Sequence, residues 1–172
     1  MIRSNGSSGF NLLLFNPRSI NNKADLFVSL LEDKNIDIAA VCETWLTNNS
    51  SVTTAAIKER GYSLHHNFRS DGRGGGTALI FRTTLKCSME KSRILFNHFE
   101  LTMGTVKTSS NKILFAVMYR TGPLTSAFTQ ELDHLLSDIS TRCDNIVLAG
   151  DLNIHFDSNN RIASDTLIPK SY

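Results

Sequence analysis

Apolar residues along this chain follow two spacings, short continuous runs and a repeat of three to four positions. The short runs at 10–16, 36–43 and 145–151 predict buried strands, because polar residues or turn formers bound each of them. Helical spacing over 22–34 and 125–140 predicts two amphipathic helices. The chain therefore opens with a strand, a helix and a strand, and such a unit places its two strands parallel in one sheet.

Each of these two helices shows one apolar face. The earlier helix is expected to start near Asn22, with Asp25 three positions later as a supporting start signal. Its predicted face is formed by Leu26, Phe27, Leu30 and Leu31. The predicted face of the later helix is formed by Phe128, Leu132, Leu135, Leu136 and Ile139.

The middle of the chain carries weaker signals. Residues 51–60 predict a short helix, and Gly61 is well placed to end it because glycine tolerates a left-handed backbone there. Four further stretches predict strands, at 61–68, 75–82, 94–106 and 112–120. The last two of these strands read as a hairpin. This mixture predicts an α/β (α+β) fold with a two-layer sheet core and outer helices.

Composition indicates a globular protein and leaves the function open. The 172 residues, 41% of them hydrophobic and 20% charged, suit one domain with its own core. A net charge of +2 permits a nucleic-acid partner without requiring one. The three widely spaced cysteines, Cys42, Cys87 and Cys143, indicate neither a disulfide framework nor a zinc site and favour a reduced, intracellular setting. We expect no signal peptide and no membrane span, since the apolar run at 10–15 is too short for either.

Polar side chains stand where several predicted strands end. Asn16 and Glu43 close the first two strands, and Tyr119, Asp151 and Asn153 stand at the ends of later ones. In open α/β sheets, sites form where strands give way to loops. Carboxylate and amide oxygens at such ends can hold Mg²⁺, and a bound cation would offset the mutual repulsion of Glu43 and Asp151.

Each of these residues also has an ordinary structural explanation. Asp151 and Asn153 could form an Asx turn after their strand, Glu43 could be solvated, and Tyr119 could lie at the edge of the core. Alternate residues of an extended chain face the same side, so Asp151 and Asn153 can also address one ligand. Gly150, just before them, would let the backbone approach closely.

A glycine-rich stretch, "GRGGG" at 72–76, is the other conspicuous motif. It fits neither the dinucleotide-binding nor the P-loop pattern, so we interpret it as a flexible turn. Arg69, Arg73 and Arg82 surround this stretch. They could contact a DNA backbone or simply form a solvated surface.

The histidines and the single tryptophan give weak signals. His65 and His66 alternate faces in a strand and so should not chelate a metal together. His98 is read as isolated, whereas His155 lies near the predicted site without a clear role. Trp45 is interpreted as a packing anchor in preference to a platform for base stacking.

Six segments taken together resemble a known family. "LLLFNPRSINNK", "IDIAAVCETWL", "GRGGGTALIFR", "HFEL", "AVMYR" and "NIVLAGDLNIHFD" occur in this order and at suitable distances. They resemble the endonuclease domain of non-LTR (LINE-type) retrotransposons, within the endonuclease/exonuclease/phosphatase superfamily of DNase I-like proteins. "CETWL" and "GDLNIHFD" are the most specific of them. The resemblance implies a two-sheet β-sandwich flanked by helices, the four-layer DNase I-like fold.

The resemblance also implies a role for each residue at the strand ends. Asn16 matches an amide that helps hold the site and the phosphate, and Glu43 matches the metal-binding glutamate. Tyr119 matches a tyrosine that contacts the scissile phosphate. Asp151 matches the aspartate that orients or activates the attacking water, close to the metal, and Asn153 matches an asparagine that acts in the transition state. The implied catalytic set is Asp151, Asn153, Tyr119 and Asn16, and the implied metal set is Glu43, Asp151 and Asn16.

The implied reaction is hydrolysis of a DNA phosphodiester with Mg²⁺ (or Mn²⁺), which nicks DNA to prime reverse transcription. DNA is the implied partner and the nucleus the implied compartment, with no membrane and no protein partner indicated. The family also has a later aspartate and a terminal Ser-Asp-His motif. Here "SDT" ends in Thr166, so that role is not carried onto Asp165. We expect the family fold to be incomplete at its C-terminus in this chain.

We therefore expect a flexible tail at 1–9, a truncated endonuclease/exonuclease/phosphatase domain at 10–160 and a non-homologous tail at 161–172. We expect this chain to be marginally stable and weak or inactive as a nuclease. Two alternatives stay open, a non-catalytic remnant that binds nucleic acid or protein, and another hydrolase of the superfamily such as a phosphatase or a deadenylase. All three readings depend on the strand-end residues converging on one cleft.

Overall fold

The computed structural model describes residues 9–67, 74–108 and 111–154. Within these ranges the chain forms three helices, α1 (Ala24–Asp33), α2 (Ser51–Glu59) and α3 (Ser126–Ser140). It also forms eight strands, β1 (Leu12–Phe15), β2 (Ile38–Cys42), β3 (Tyr62–Asn67), β4 (Thr77–Arg82), β5 (Cys87–Glu90), β6 (Glu100–Lys107), β7 (Lys112–Tyr119) and β8 (Asn145–Asp151).

The strands form two four-stranded mixed sheets. The first sheet has the order β1-β2-β4-β3, and β1 runs parallel to β2 with Leu12 opposite Ile38. The parallel pair confirms the strand–helix–strand unit predicted for the start of the chain. The second sheet has the order β5-β6-β7-β8, and its one parallel pair is β7 with β8. Each sheet thus carries a parallel pair at one side and antiparallel strands at the other.

The two sheets pack face to face, with helices on the outside. Helices α1 and α2 cover the outer face of the first sheet, and α3 covers that of the second. This arrangement confirms the predicted two-sheet sandwich with flanking helices. The layer between the sheets is apolar and is formed mainly by Ile38, Ala40, Cys42, Leu79, Phe81, Val106, Phe115, Val117 and Tyr119.

Strand β2 shows why a continuous apolar run was a useful signal. All five of its residues are buried, because the strand is covered by helices on one face and by the second sheet on the other. Ala39 and Val41 face the helices, whereas Ile38, Ala40 and Cys42 face the other sheet. Each large side chain buried in this way contributes about 1.5–3 kcal/mol.

The predicted helical faces need two corrections. In α1 the buried residues are Phe27, Val28 and Leu31, while Leu26 is 75% exposed, because the helix meets the sheet along the stripe centred on Phe27. The helix begins at Ala24 rather than at Asn22, and its N-cap makes no side-chain hydrogen bond.

Helix α3 follows its prediction more closely. Thr125 caps it by accepting a hydrogen bond from the backbone N–H of Phe128 at 3.2 Å. Four of the five predicted residues are buried, and Leu136 is 43% exposed because it lies beyond the edge of the contact with the sheet.

The hairpin predicted at 94–106 and 112–120 begins later than expected. Strand β6 starts only at Glu100, because the Glu131 carboxylate accepts the backbone N–H groups of Asn97 and His98 at 3.0–3.1 Å. These amides are therefore not available to a strand partner. His98, read as isolated, lies 3.0 Å from the same carboxylate through Nδ1. Strand β5 was missed, because an edge strand with polar positions carries no apolar run.

Candidate active site

Four of the predicted site residues meet where β1, β2, β7 and β8 end. The side-chain amide of Asn16 donates one hydrogen bond to Glu43 Oε1 at 2.9 Å and another to Asp151 Oδ2 at 3.1 Å. The hydroxyl of Tyr119 donates to the same Glu43 oxygen at 2.8 Å. Two carboxylates from different sheets are therefore held around one amide nitrogen, and the strand ends converge on a single cleft.

Glu43 is held in its ionised form by its neighbours. Burial tends to raise the pKa of its carboxyl, but hydrogen bonds from Asn16 and Tyr119 act in the other direction. The Trp45 side chain and the positive charge of Arg18 add to them, so the pKa lies below its usual value. Its negative charge attracts a cation and repels an approaching phosphate.

Tyr119 is held in its neutral form. Burial, the hydrogen bond to Glu43 and the negative charge of Glu43 all raise the pKa of its hydroxyl well above the usual value, and Asp151 adds to this effect. The side chain is 8% exposed, with its ring in the layer between the sheets. Tyr119 is thus both an edge-of-core residue and a hydrogen-bond donor that keeps its proton at neutral pH.

The backbone around Glu43 is unusual. Glu43 has a φ of 50° and Trp45 a φ of 53°, in the left-handed region that residues with side chains rarely adopt. Hydrogen bonds hold this loop from one side through Ser19 N to Glu43 O at 2.8 Å and Ile20 N to Thr44 O at 3.0 Å. The loop that presents the Glu43 carboxylate is therefore held in place by its neighbours, since its own preference would be a different conformation.

Asp151 and Asn153 form a turn as well as a part of the site. The backbone N–H of Asn153 donates to Asp151 Oδ1 at 3.1 Å, which is the Asx-type bond considered from the sequence. The Asn153 side chain donates to the backbone oxygen of Arg120 at 2.5 Å. The structure thus places Asn153 next to the site, with its amide directed at backbone and away from the carboxylates.

Arg120 follows Tyr119 at the end of β7, and its sequence position indicated no specific role for it. Its guanidinium donates to the backbone oxygens of Leu152 at 2.5 Å and Asn153 at 2.6 Å, and also to that of Gly122. The side chain is 2% exposed and lies over the ring of Phe128, 5.1 Å from its centroid. The signal was present in the sequence as "YR" at a strand end, but an arginine that binds backbone oxygens has no motif of its own.

Gly150 has the close approach that its position suggested. A Cβ atom at this residue would overlap the backbone oxygen of Met118 on the neighbouring strand. Met118 is the register partner of Gly150, and Tyr119 that of Asp151. Glycine is therefore required here for β8 to pair with β7 and carry Asp151 to the site.

Other predicted residues lie away from the four. The Arg82 guanidinium lies 3.5 Å from the Asp37 carboxylate and 5.2 Å from the Tyr62 ring centroid, which gives it a structural role at the opposite end of its strand. Trp45 is 40% exposed beside Glu43, more than a packing anchor would be. Arg69, Arg73, His155 and Asp165 lie outside the described residues.

His65 and His66 also lie outside this cluster, on β3. His65 packs edge-on against the Phe81 ring at 4.8 Å, and His66 lines a surface cavity of about 300 Å³ between β3, β5 and β6. Burial lowers the pKa of both imidazoles. His65 and His66 are thus partly buried residues of β3, and their not binding a metal together stays a prediction.

The fold and the site define a class of protein, a two-sheet α/β sandwich with carboxylate and amide groups at the strand ends. Residues 9–166 match the model of the Endonuclease/Exonuclease/phosphatase family, and the chain belongs to this family. No curated protein sequence matches the chain. Family members of known structure share the fold at low identity, which by itself says nothing about substrate.

Three solved structures illustrate that likeness. Humanized D. rerio TDP2 is 17% identical with a TM-score of 0.66, over 95% of this chain and 73% of its own. The human Nocturnin catalytic domain, with bound sulfate, is 12% identical with a TM-score of 0.66, over 93% and 68%. The endonuclease domain of TRAS1, a telomere-specific non-LTR retrotransposon, is 14% identical with a TM-score of 0.65, over 92% and 69%.

Enzymes of this family generally use divalent metal ions. Among the described residues there is no cluster of three or more His, Cys, Asp or Glu side chains that would form a closed metal site. The two carboxylates of Glu43 and Asp151 nevertheless suit Mg²⁺, which commonly takes one or two carboxylates and keeps several waters. Asn16 presents its nitrogen to them while its oxygen accepts from Arg18 N at 3.2 Å, so its part as a metal ligand stays a prediction.

The described part of the chain contains no helix that is long and apolar enough to cross a membrane.

Proposed function

We propose that this domain hydrolyses phosphodiester bonds in DNA with the help of Mg²⁺ or Mn²⁺, as an endonuclease of the retrotransposon type. The observation that carries the proposal is the Asn16 amide, which joins the Glu43 and Asp151 carboxylates from two different sheets. Holding charged side chains close together at strand ends costs free energy unless a bound ligand or cation offsets their charge.

Each residue has a chemical part to play. Glu43 and Asp151 would hold the divalent ion, which when bound would polarise a phosphate oxygen and offset negative charge. Asp151, at the open end of β8, is placed to align a water for in-line attack. Tyr119 keeps its proton and donates a hydrogen bond to Glu43 in this structure, and its hydroxyl would donate to a phosphate oxygen once Glu43 is engaged by the ion. Asn16 would orient the two carboxylates through its neutral amide, and Asn153, whose amide donates to Arg120 O in this structure, would turn toward the phosphate when substrate binds.

Three features favour DNA as the substrate. The segments "CETWL" and "GRGGG" resemble retrotransposon endonucleases. Two structures of the same fold handle nucleic acid, the TRAS1 endonuclease domain and D. rerio TDP2 complexed with single-strand DNA product. The net charge of +2 does not oppose a polyanionic partner. A nuclear location belongs to this proposal, since that is where chromosomal DNA would be met.

A phosphatase activity is the second candidate. The fold is shared with a mannosyl-6-phosphatase from Bacteroides thetaiotaomicron at 14% identity and a TM-score of 0.65. A phosphomonoester presents phosphate oxygens that a divalent ion would polarise in the same way as those of a diester. Comparing bis(p-nitrophenyl) phosphate with p-nitrophenyl phosphate as substrates separates the two activities.

A plasmid-nicking assay with Mg²⁺, with Mn²⁺ and with a chelator tests the first candidate. Asp151→Asn and Glu43→Gln should each lower the nicking rate by about 10²–10⁴-fold, the usual contribution of a group that moves or aligns a proton. Asp144→Asn is the matched control, since Asp144 is exposed just before β8 begins, far from the site.

The result decides between three readings. Metal-dependent nicking that only the two site variants lose supports the endonuclease. Salt-dependent DNA binding without metal-dependent cleavage would instead indicate a non-catalytic remnant. Nicking that survives Asp151→Asn unchanged would contradict the proposed site.

A further inference from the structure

We propose that Glu100 is a positioning residue for Glu43 and acts through the glycine segment, which we define as Gly74, Gly75 and Gly76. The inference rests on the proposed function for its activity readout, but its structural readouts do not depend on activity. Glu100 belongs to the second sheet and Glu43 to the first. The sequence analysis gave neither Glu100 nor the glycines a part in the site.

The first contact joins Glu100 to the glycine segment. Glu100 stands at the first position of β6, and its Oε2 accepts the backbone N–H of Gly76 at 2.5 Å. A Cβ atom on Gly75 would come within 2.5 Å of Glu100 Oε1, so the carboxylate lies directly against this backbone. A charged acceptor gives a stronger hydrogen bond than a neutral one, which suits a group that must hold a loop.

The second contact joins the glycine segment to the Glu43 loop. Gly76 O accepts the backbone N–H of Thr44 at 3.2 Å, and Gly75 O accepts that of Trp45 at 2.9 Å. These are the two residues that follow Glu43 in the chain. Glu43 is thus two hydrogen bonds away from Glu100.

Glycine is required for this approach. Gly76 has a φ of 85°, and a Cβ atom there would lie 2.6 Å from Thr44 Oγ1 and 3.3 Å from Asn67 O. A side chain would therefore push the segment away from the loop it supports. These contacts fix the backbone of Gly74, Gly75 and Gly76. The interpretation of "GRGGG" as a flexible turn is therefore corrected for these three glycines.

The Glu43 loop needs support of this kind. Both Glu43 and Trp45 have left-handed backbones, which cost of order 1–3 kcal/mol each unless the surroundings over-determine them. Ser19 and Ile20 hold the loop from one side, and the glycine segment holds it from the other. Without Glu100 the second support loosens, and the Glu43 carboxylate moves relative to Asn16 and Asp151. A displacement of about 1 Å at a catalytic group can cost about 10²-fold in rate.

The position of Glu100 in the second sheet allows its carboxylate to contact the glycine segment. Glu100 is opposite Tyr119 in the register of β6 and β7, at the same end of the second sheet as the site. Two positions along, Thr102 Oγ1 lies 2.8 Å from Thr77 Oγ1, which fixes β6 against β4. The Glu100 carboxylate therefore projects from a strand that is fixed in place. It contacts the glycine segment, which without this contact would adopt other backbone conformations.

The test compares Glu100→Ala, Glu100→Gln and a matched control, Glu131→Gln. Glu131 is a second carboxylate that accepts backbone N–H groups, but those belong to Asn97 and His98, whereas Glu100 accepts from the glycine segment. The readouts are kcat and KM for plasmid nicking, amide hydrogen exchange at Thr44 and Trp45, and the fluorescence of Trp45. Trp45 is the single tryptophan of the chain, so its emission reports this loop alone.

Glu100→Ala should lower kcat by about 10–100-fold with little change in KM, since positioning of a reacting group affects the transition state more than binding. It should also speed hydrogen exchange at Thr44 and Trp45 and expose Trp45 to acrylamide. Glu100→Gln keeps an acceptor oxygen and should restore most of kcat. Glu131→Gln should leave all three readouts unchanged.

Unchanged kcat or unchanged exchange at Thr44 and Trp45 in folded Glu100→Ala would overturn the inference. If Glu100→Ala does not fold, hydrogen exchange in Glu100→Gln decides. Slower exchange at Thr44 and Trp45 than in wild type, or equal exchange together with a lower kcat, would contradict the positioning role of Glu100. If the wild-type chain does not nick DNA, the proposed function fails, while exchange and fluorescence still decide whether Glu100 holds the Glu43 loop.

Discussion

The Glu43 loop and the turn at Asp151–Asn153 bring the two carboxylates of the site together by different means. In each sheet an edge strand and its parallel neighbour supply the site, with Asn16 and Glu43 from one sheet and Asp151 and Tyr119 from the other. The Glu43 loop is held by backbone hydrogen bonds on two sides, whereas the Asp151 turn is held by the buried side chain of Arg120.

This difference predicts how each half of the site loses its structure when a supporting residue is removed. Support that is spread over several backbone bonds loses one bond at a time, and each is worth about 0.5–1.5 kcal/mol. Support that comes largely from one buried arginine loses several bonds at once and leaves backbone oxygens without a donor, although the backbone bond from Arg120 N to Asp151 O at 3.0 Å remains. We therefore expect the turn at Asp151–Asn153 to be the more fragile half of the site.

The largest effect is expected in the Asp151 half of the site, where β8 pairs with β7. Gly150→Ala places a methyl group on the Met118 oxygen, so β8 must separate from β7. We expect the free energy of unfolding to fall by more than about 3 kcal/mol, at the upper end of what overpacking costs. Urea unfolding measures this, with Gly122→Ala as the control, because no atom lies within 4 Å of a Cβ added there. Equal stability of the two variants would contradict the close approach.

Arg120→Met tests the support of the Asp151 turn. Methionine keeps an apolar stem over Phe128 but cannot donate to Leu152 or Asn153, and we expect a loss of about 2–4 kcal/mol. Arg120→Lys keeps the charge without the planar fork and should fall between wild type and Arg120→Met. If Arg120→Met matched wild type in urea unfolding, the turn would not depend on this residue.

Gly76→Ala tests the support of the Glu43 loop. A left-handed backbone and a contact with Thr44 should together cost about 1–2 kcal/mol, less than Arg120→Met because other bonds remain. Gly74→Ala is the matched control, since Gly74 also has a left-handed φ but its added Cβ would make only ordinary contacts with Trp45. Thermal or urea unfolding of both variants separates strain from contact. A larger loss in Gly76→Ala than in Arg120→Met would reverse the comparison.

The smallest effect concerns Cys42, whose Sγ lies 3.5 Å from Met118 O, between the two halves. Burial raises the pKa of this thiol from its usual 9.0 to about 11, with smaller contributions from Asp151, Glu100 and Glu43. A disulfide reagent at pH 8 should therefore modify it at least about 100-fold more slowly in the native protein than in urea. The Cys87→Ser/Cys143→Ser protein isolates this reaction.

The sign of the linked stability change follows from the raised pKa. The folded state keeps the Cys42 proton longer than the unfolded state does. This part of the stability is therefore complete below pH 9 and is lost as the pH rises toward 11. Gly150→Ala should speed the modification of Cys42, since it disturbs the same backbone oxygen. Equally fast modification in native protein and in urea would show that the two halves do not pack closely here.

Much of the fold could be read from the apolar pattern. Strand β2 and helix α3 were predicted well, because a strand covered on both faces must be apolar throughout and a helix on a sheet must repeat its apolar face. Strand β5 and the start of β6 were not predicted. Strand β5 is an edge strand with polar positions, and the start of β6 depends on Glu131, which lies in α3 and accepts the backbone N–H groups of Asn97 and His98.

By itself the sequence determined which chemical groups stand at the strand ends, because apolar runs stop at Asn16, Glu43, Tyr119 and Asp151. It also predicted that the first two strands, which end at Asn16 and Glu43, lie parallel and so end on the same side of one sheet. Tertiary structure alone decided how the groups are held. The Asn16–Asp151 hydrogen bond spans 135 positions, and the supports from Arg120 and Glu100 reach backbone atoms, which look alike in every residue and so leave no local pattern in the sequence.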